Sequence, residues 1–300
     1  MAESRGKFPV DTEVVRTRKE HEIHMAIITL TTDLGTRDWY VAAVKASLLS
    51  QAPDAVIVDI SHHIAPFSIR EAAFQVKSVL SDFPLGTVHV IGINPMLRVD
   101  QAQLIVQYMG HYFVAADNGI FSLLFDTEPE DIYEINLPQG EWWTFPMKGV
   151  FATVAAHLAR GGTPEVVARR TEGFRKVQKN VPMPEQDVLK GSVVSIDHFG
   201  NVVTNVHRNL FEGARKGRRF SIGFKRAGLN ITRISEYYTE VIEGERLAMF
   251  GSNGFLLIAI NGGVTGHGGS AASLFGLHID DLIRIEFYGT GNEDRENDLS

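Results

Sequence analysis

The stretch of residues 26–36 reads AIITLTTDLGT and holds the first element of the fold. Its apolar first part predicts a buried β-strand, and the Asp-Leu-Gly-Thr that follows predicts a loop at the carboxyl end of that strand. The next residues predict a helix, because Val41, Val44 and Leu48 recur at helical spacing and form one apolar face. A buried strand that leads into a helix is the first half of a β-α-β unit.

The same alternation continues along the chain. AVIVDI at residues 55–60 predicts a second buried strand, residues 68–82 predict a second helix, and TVHVIGI at residues 87–93 predicts a third strand. Strands that alternate with helices predict parallel crossovers, so residues 25–162 are expected to form an α/β domain with a central, mostly parallel sheet. The other elements predicted in this domain are a hairpin or meander and a final helix: residues 103–107, 111–116 and 149–160.

The pattern changes in the second half of the sequence. Residues 163–189 are polar and contain three prolines, which predicts a linker. Residues 190–288 then hold six short apolar runs separated by turn residues, which predicts a C-terminal all-β, barrel-like domain. The two ends of the chain are polar: residues 1–24 are predicted to be an N-terminal extension and residues 289–300 an acidic tail.

Composition limits the class of function. The 300 residues carry a formal net charge of -7, which argues against a general nucleic-acid surface. The absence of cysteine removes disulfides, thiolate metal sites and cysteine nucleophiles. No apolar run approaches the length of a membrane span, and the first residues do not resemble a signal peptide, so we expect a cytoplasmic protein without membrane or nucleic-acid partners.

One local cluster of positive charge stands out against this background. Arg215, Lys216, Arg218 and Arg219 lie within five residues. Because no aromatic residues alternate with them, a solvated turn between strands is expected rather than a nucleic-acid contact.

Asp33 is the first candidate functional residue. It follows a buried strand directly, and ligands of open α/β sheets bind at the carboxyl ends of strands. A carboxylate in this position could accept two hydrogen bonds from a ribose diol, or it could simply cap the next helix. Position alone leaves both roles open for Asp33, whereas Asp38 is better placed to be the cap.

Asp59, His62 and His63 follow the second predicted strand and could in principle bind a metal. Adjacent histidines in an extended chain point in opposite directions, which makes them a poor pair of ligands. No metal site is therefore predicted.

Two turn-forming stretches interrupt the strands of the second domain. DHFGN at residues 197–201 and GSNG at residues 251–254 are both typical of hairpin turns, and each is weak as a functional signal by itself. The glycine-rich residues 262–269 lack the lysine of a phosphate-binding loop, and no G-x-S-x-G serine-hydrolase motif is present.

Taken in order, these pieces resemble the S-adenosyl-L-methionine (SAM) hydrolase family, also called SAM hydroxide adenosyltransferases, which is related to fluorinating and chlorinating enzymes. The resemblance runs from about residue 27 to residue 287. It rests on TDLGTRD at 32–38, DISHHIAP at 59–66, FPLGTV at 83–88, DNG at 117–119, DHFGN at 197–201 with TN at 204–205, GSNG at 251–254 and NGG at 261–263.

The resemblance implies roles for individual residues. Asp33 matches the family residue that binds the ribose hydroxyls, and Phe67 matches an aromatic residue of the nucleoside pocket. Tyr237 or Tyr238 falls near an aromatic residue that packs on adenine. The positions that match the amino-acid end of the ligand, or lie beside it, are Asp197, Phe199, Asn201, Ser252 and Asn253.

The resemblance also implies an assembly and a ligand. Family members are homotrimers in which the N-terminal domain of one subunit and the C-terminal domain of a neighbour form each site. SAM is the substrate or ligand, and no further cofactor is implied.

The family's catalytic set is not matched. The hydrolases use an Asp-Arg-His set to position and activate water, within segments that resemble V-D-P-G-V-G-T-x-R and T-F-H-G-R-D. In this chain Asn94, Gln101 and Pro146 occupy the three positions. Arg98 or Asp100 could come within reach if the loop is shifted, but nothing restores the histidine.

Three functions remain open from the sequence. The first is a SAM hydrolase-family protein, in which water displaces methionine at the ribose C5′ to give adenosine, with a degenerate site. The second is a non-catalytic, nucleoside-binding pseudoenzyme, and the third is a structural oligomer without a ligand. Retention of Asp33, Asp197, Asn201 and Ser252 argues against the third.

Overall fold

The computed structural model describes residues 26–98, 100–137, 144–224, 228–266 and 269–289. The predicted N-terminal extension therefore lies outside the described residues, as does the predicted acidic tail after its first residue. None of the helices in these ranges is both long and apolar enough to cross a membrane.

Seven strands of the described chain form the first sheet, in the spatial order β2-β1-β3-β5-β4-β6-β7. Their bounds are β1 Ile27–Thr32, β2 Val56–Ser61, β3 Val88–Gly92, β4 Gln103–Tyr108, β5 His111–Ala116, β6 Asp131–Ile135 and β7 Ala168–Arg170. Strands β2, β1, β3 and β5 are parallel neighbours, and β4 is antiparallel to both β5 and β6. Because β6 runs with the parallel set, five of the seven strands share one direction, which confirms the predicted mostly parallel sheet.

Helices cover both faces of this sheet. They are α1 Tyr40–Gln51, α2 Ile69–Val79, α3 Ile120–Leu124, α4 Ala152–Ala159 and α5 Pro164–Val167. Helices α1 and α4 share one core with the sheet, and α2 and α3 share another. The predicted apolar face of α1 is confirmed, because Val41, Val44 and Leu48 are all buried. Burial of each such side chain contributes roughly 1.5–3 kcal/mol, so these faces hold the helices against the sheet.

Two details of the helices differ from prediction. The predicted helix over 149–160 begins as a π-helical turn, Met147–Phe151, and continues as α4. The expected cap at Asp38 is wrong, because the residue before α1 is Trp39 and no side chain caps the helix. Trp39 already has near-helical angles, with φ -73° and ψ -9°, so the helical path begins beyond Asp38.

The second half of the chain forms an antiparallel, barrel-like sheet, as predicted. Its strand order is β11-β14-β9-β10-β13-β12, with β8 on β9. The bounds are β8 Met183–Glu185, β9 Val188–Ile196, β10 Val202–His207, β11 Arg219–Gly223, β12 Arg246–Phe250, β13 Phe255–Ile260 and β14 Leu282–Tyr288. Two short helices, α6 Arg208–Arg215 and α7 Ala271–Phe275, were not expected in a region predicted to be strands only.

An extended segment, residues 171–182, connects the two sheets and is hydrogen-bonded to both. The Arg175 amide donates to Asp117 Oδ1 at 2.8 Å, and the Val177 amide donates to Ser122 Oγ at 3.1 Å. At the far end, Asn180 Nδ2 donates to Ser192 Oγ at 2.8 Å. The predicted linker also contributes α5 and β7 to the first domain and β8 to the second, so it is ordered by contacts with each.

The basic cluster after α6 is in part the solvated turn that was predicted, because Lys216 lies in a turn and both Lys216 and Arg219 are exposed, but Arg218 is bound to the end of the helix. Arg218 donates to the Ala214 and Arg215 carbonyls at the end of α6 and to Asp187 Oδ1, and its side chain is only 18% exposed. A cation at these carbonyls is stabilised by the helix dipole. The guanidinium also lies over the ring of Phe287, 5.2 Å from its centroid. This aromatic residue comes from β14, so a local sequence window could not reveal it.

A pair of buried histidines lies in the first sheet. His89 of β3 is completely buried, and its Nδ1 lies 2.8 Å from Thr29 Oγ1. Its ring lies 5.2 Å from that of His111 and stacks on Phe113. Burial, reinforced by the neighbouring His111, lowers the pKa of His89 from 6.5 to about 3. Burial also lowers the pKa of His111, while the charge of Glu130 opposes that shift.

We expect His89 to make the stability of the fold depend on pH. The unfolded chain binds a proton at His89 below its ordinary pKa of 6.5, whereas the folded chain does so only near 3. The stabilisation is complete above pH 6.5 and falls as the pH drops towards 3, by up to about 1.4 kcal/mol per pH unit. Urea unfolding between pH 7 and pH 4 should therefore show a shallower pH dependence for His89→Gln than for the unmodified chain. His198→Gln, at an exposed position, serves as the control and should keep the original slope. Equal slopes for all three proteins would contradict the prediction.

Candidate functional site

The candidate site is built by the loops that follow β1 and β2. These strands are parallel neighbours, with Ile27 paired to Val56 and Leu30 paired to Asp59. Their carboxyl ends therefore meet at the same edge of the sheet, which is where α/β sheets bind ligands.

Asp33 holds the second of these loops to the first. Its Oδ2 accepts a hydrogen bond from the Phe67 amide at 2.9 Å. Phe67 has φ +68°, a left-handed conformation that is strained for a bulky side chain. Its ring is 69% exposed. Asp33 therefore does not cap the helix that follows. Its hydrogen bond holds the strained turn at Phe67, which leaves the aromatic ring exposed to solvent.

Further hydrogen bonds join the two loops. The Gly35 amide donates to the His62 carbonyl at 2.7 Å, and Gly35 adopts φ +67°, which a glycine accommodates easily. Thr36 Oγ1 lies 3.1 Å from His63 Nε2. The loops thus form one hydrogen-bonded unit rather than two independent segments.

A buried histidine lies behind this unit. His62 is 4% exposed, and its Nδ1 lies 2.8 Å from Thr32 Oγ1. Its Nε2 lies 3.0 Å from Asp59 Oδ1, a close electrostatic contact that departs from ideal hydrogen-bond geometry. Lys45 of α1 reaches Asp59 Oδ2 at 2.5 Å. Burial opposes ionisation of Asp59, but the hydrogen bonds from Lys45 and His62 outweigh it and hold the pKa of Asp59 below its usual value.

The same geometry bears on the metal alternative. His62 points inward to Thr32 and His63 outward to Thr36, so the two imidazoles do not converge. Within the described ranges, no group of three or more histidine, aspartate or glutamate side chains is arranged to hold a metal ion.

The loop after β3 carries two of the positions that the sequence singled out. Asn94 has φ +46°, and Asn118 Nδ2 donates to the neighbouring Ile93 carbonyl at 2.9 Å. The Gln101 amide donates to the Arg98 carbonyl at 3.2 Å. The first contact joins this loop to the turn after β5 and the second lies within the loop, and neither position carries an acid or a base.

Arg98 and Asp100 were the alternative source of charge in this loop. Arg98 Nε lies 3.2 Å from Asp100 Oδ1, and the two side chains are 60% and 74% exposed. They pair with each other at the surface, and among the described residues neither forms a hydrogen bond or ion pair with Asp33 or Phe67.

The third position, Pro146, is buried at the start of the π-helical turn. The next side chain, Met147, is fully buried and packs over Gly92 at the end of β3. A Cβ atom at Gly92 would lie only 2.3 Å from Met147 Sδ, so a side chain at this position would force the end of Met147 to move. The sulfur side chain fills space at the carboxyl end of β3, next to the candidate site.

Asp197 and Asn201 form the hairpin between β9 and β10. Asp197 Oδ1 accepts from the amides of Phe199 and Asn201, each at 2.9 Å, and Asp197 Oδ2 accepts from Asn201 Nδ2 at 2.8 Å. Three of the roughly four acceptor directions of the carboxylate are therefore used within the turn. The ring of Phe199 is 56% exposed at its tip.

Ser252 and Asn253 form the hairpin between β12 and β13. Asn253 Nδ2 donates to Ser78 Oγ in the first domain at 3.2 Å, so this predicted ligand residue joins the two domains. Ser252 is exposed. Because Val202 pairs with Ile258 and His207 with Phe255, the two hairpins lie at opposite ends of β13. A strand of this length spans roughly 17–20 Å.

The two tyrosines that match the adenine-packing position precede and begin a short 3₁₀ turn, Tyr238–Glu240. Tyr237 is 57% exposed. Burial, with the nearby charge of Asp197, raises the pKa of Tyr238. The Tyr238 side chain is thus close to the Asp197 hairpin.

The predicted ligand residues fall into separate groups in one chain. Asp33 is brought to Phe67, and Asp197 to Phe199 and Asn201. Among the described residues, no hydrogen bond or ion pair joins these two groups. Sequence reasoning missed the role of Thr32 and the filling of the β3 end by Met147, since both depend on contacts between separate loops.

The geometry agrees with comparisons to known proteins. Residues 28–168 match the family model of the SAM hydroxide adenosyltransferase N-terminal domain, and residues 191–284 match that of the C-terminal domain. A Thermus thermophilus protein named (R)-S-adenosyl-L-methionine hydrolase is 31% identical over 266 residues, which cover 84% of this chain and 96% of that protein. A fluorinase from an Actinoplanes species is 27% identical, with 78% of this chain and 91% of the fluorinase covered.

A solved structure shows the same fold. The Thermotoga maritima protein, described as an uncharacterized conserved protein, superposes with a TM-score of 0.78 at 29% identity, covering 86% of this chain and 99% of that one. With family models matching both halves, the chain belongs to the SAM hydroxide adenosyltransferase family.

Proposed function

We propose that this protein binds an adenosyl ligand at the Asp33 and Phe67 loops and has weak or no SAM hydrolase activity. The proposal rests on a contrast between two sets of residues near the carboxyl ends of the strands in the first sheet. The loops that would hold the nucleoside are ordered by several cross-loop bonds, whereas the positions that would activate water hold Asn94, Gln101 and Pro146.

The binding half of the proposal rests on Asp33. Among the described residues, the Phe67 amide is the one hydrogen-bond partner of the Asp33 carboxylate and engages Oδ2, so Oδ1 is available to a ribose diol. Hydrogen bonds to a charged acceptor contribute about 1.5–3 kcal/mol each. The exposed ring of Phe67 supplies an apolar surface beside it for the nucleoside.

The reaction of the family would be a displacement at carbon. The water oxygen forms a bond to C5′, the electrons of the C5′–S bond pass to sulfur, and methionine leaves as a neutral thioether. Because the sulfonium leaves without protonation, the protein has only to align the water and accept its proton.

This chain lacks the groups for that task. The amides of Asn94 and Gln101 can orient water but are not bases near neutral pH, and the Pro146 side chain has no donor or acceptor. Arg98 and Asp100 pair with each other at the surface. Loss of positioned acid–base help typically costs about 10²–10⁴-fold in rate.

A non-catalytic nucleoside-binding protein is the second candidate. It is favoured by Met147, which fills the space over Gly92 at the end of β3 and forms part of the hydrophobic core. Because Met147 belongs to the core, the packing at this end of β3 is adapted to the residues that replace the catalytic set.

Assembly is part of the proposal. Among the described residues no hydrogen bond or ion pair joins the Asp33 loops to the Asp197 hairpin, and the family resemblance implies that a site using both takes the second group from a neighbouring copy. We therefore expect a homotrimer with sites between subunits, and a cytoplasmic protein without nucleic-acid or membrane partners.

Light scattering tests the assembly. At micromolar concentration we expect a particle of about three chains of 33.2 kDa. A monomer under these conditions would contradict the trimer and, with it, a composite site.

Substitution of Asp33 tests the binding site. Asp33→Ala removes both the diol acceptor and the acceptor for the Phe67 amide, so adenosine affinity in calorimetry should fall by about tenfold or more. Asp33→Asn can still accept from the Phe67 amide, and it should retain the loop while binding more weakly than the unmodified chain. Asp38→Ala is the matched control and should bind normally. Unchanged affinity of Asp33→Ala would show that the residue has only a structural role.

Turnover tests the catalytic half. Incubation with SAM and chromatography for adenosine should show a rate at least ~10²-fold below that of a relative with the intact catalytic set. Restoring Asn94→Asp, Gln101→Arg and Pro146→His together, with Met147→Gly to open the space over Gly92, should raise the rate. Single restorations should do little, because groups that act as a unit are strongly non-additive. A rate equal to that of an intact relative in the unmodified chain would refute the proposal.

A further inference from the structure

A continuous series of contacts runs behind the adenosyl site and ends at the surface of α1. It begins at the Leu34 amide, which lies 3.4 Å from Thr32 Oγ1, and continues through His62 and Asp59 to Lys45. None of these groups is assigned a role by the proposed function. Together they connect the loop that carries Asp33 to the first helix.

The direction of the hydrogen bonds follows from the chemistry of the end groups. The Asp59 carboxylate, held ionised by Lys45, lies 3.0 Å from Nε2, and its negative charge favours the tautomer of a neutral His62 ring that carries the proton on Nε2. Nδ1 is then an acceptor, and the Thr32 hydroxyl must donate to it. Because its hydrogen points to His62, Thr32 Oγ1 can accept a hydrogen bond from the amide of Leu34, the residue that follows Asp33.

We propose that His62 is a positioning residue of the adenosyl site: through Thr32 it sets the Asp33 loop, and through its own carbonyl it sets Gly35. The effect of His62 on adenosyl binding rests on the proposed function, whereas its effect on the structure of the Asp33 loop does not. His62 is not a catalytic residue, because its side chain is 4% exposed and lies beneath the loop rather than at its ligand side.

His62 makes two contacts with the short stretch of residues 32–35. The Gly35 amide donates to the His62 carbonyl at 2.7 Å, and the side-chain bond to Thr32 lies on the other side of Asp33. Asp33 is therefore held from the residue before it and from two residues after it. Loss of the side-chain restraint alone should loosen Asp33 while leaving the strands in register.

Two conservative substitutions separate the two nitrogens of the ring. His62→Asn places an amide oxygen near the position of Nδ1 and can still accept from Thr32, whereas His62→Gln reaches the position of Nε2 and can contact only Asp59. We expect His62→Asn to bind adenosine within about threefold of the unmodified chain and His62→Gln to bind at least about tenfold more weakly. His278→Gln, at an exposed position in the second domain, is the control.

A second measurement makes the test independent of the ligand. Amide hydrogen exchange of peptides covering residues 33–38 and 62–68 should be faster in His62→Gln than in His62→Asn, while the two variants melt at similar temperatures. Losses of affinity and protection that are equal in both variants and follow their melting temperatures would overturn the positioning role. If the unmodified chain binds no adenosine, the proposed function fails, and the exchange comparison still decides whether His62 positions the loop.

Discussion

The hydrogen bond from the Phe67 amide to Asp33 Oδ2 is the interaction on which the candidate site depends. It joins loops from two neighbouring parallel strands, which have no hydrogen-bond ladder between them once the strands end. It also stabilises a left-handed conformation at Phe67 that would otherwise be unfavourable for an aromatic residue. One carboxylate thereby holds the two loops together, and it leaves its second oxygen without a partner among the described residues.

This arrangement separates the requirements of binding from those of catalysis. In the proposed function, an adenosyl group is bound by a fixed acceptor, Asp33, and by an apolar ring, Phe67. Displacement at C5′ needs in addition a group that aligns water and accepts its proton. Asn94 and Pro146 cannot do this, and Met147 occupies the adjacent space as part of the hydrophobic core. A chain can therefore keep the fold of a SAM-processing family while the rate of the reaction falls.

For several residues with a predicted role, the tertiary structure shows a contact or a helix boundary that the sequence did not indicate. Asp197 and Asn201 were expected at a ligand, and the structure shows them hydrogen-bonded to each other within a hairpin. Asn253 was expected nearby, and its side chain donates to Ser78 of the first domain. Asp38 was expected to cap α1, but the helical path begins at Trp39. In each case the residue type indicated that a polar contact would form, but it did not indicate the partner in that contact.

The sequence alone was enough to predict the alternating strands and helices at the start of the first domain, the change to a strand-rich second half, and the place of Asp33 at the carboxyl end of a buried strand. These features depend on local periodicity, which a single chain displays directly. Only the tertiary structure decided that Asp33 holds Phe67, that Met147 covers Gly92 and that Arg218 lies over Phe287. The partners in these contacts are far apart in the chain, and their meeting depends on strand order and on packing between loops. Hydrophobic periodicity records which face of an element is buried, but it does not record which distant side chain lies against that face.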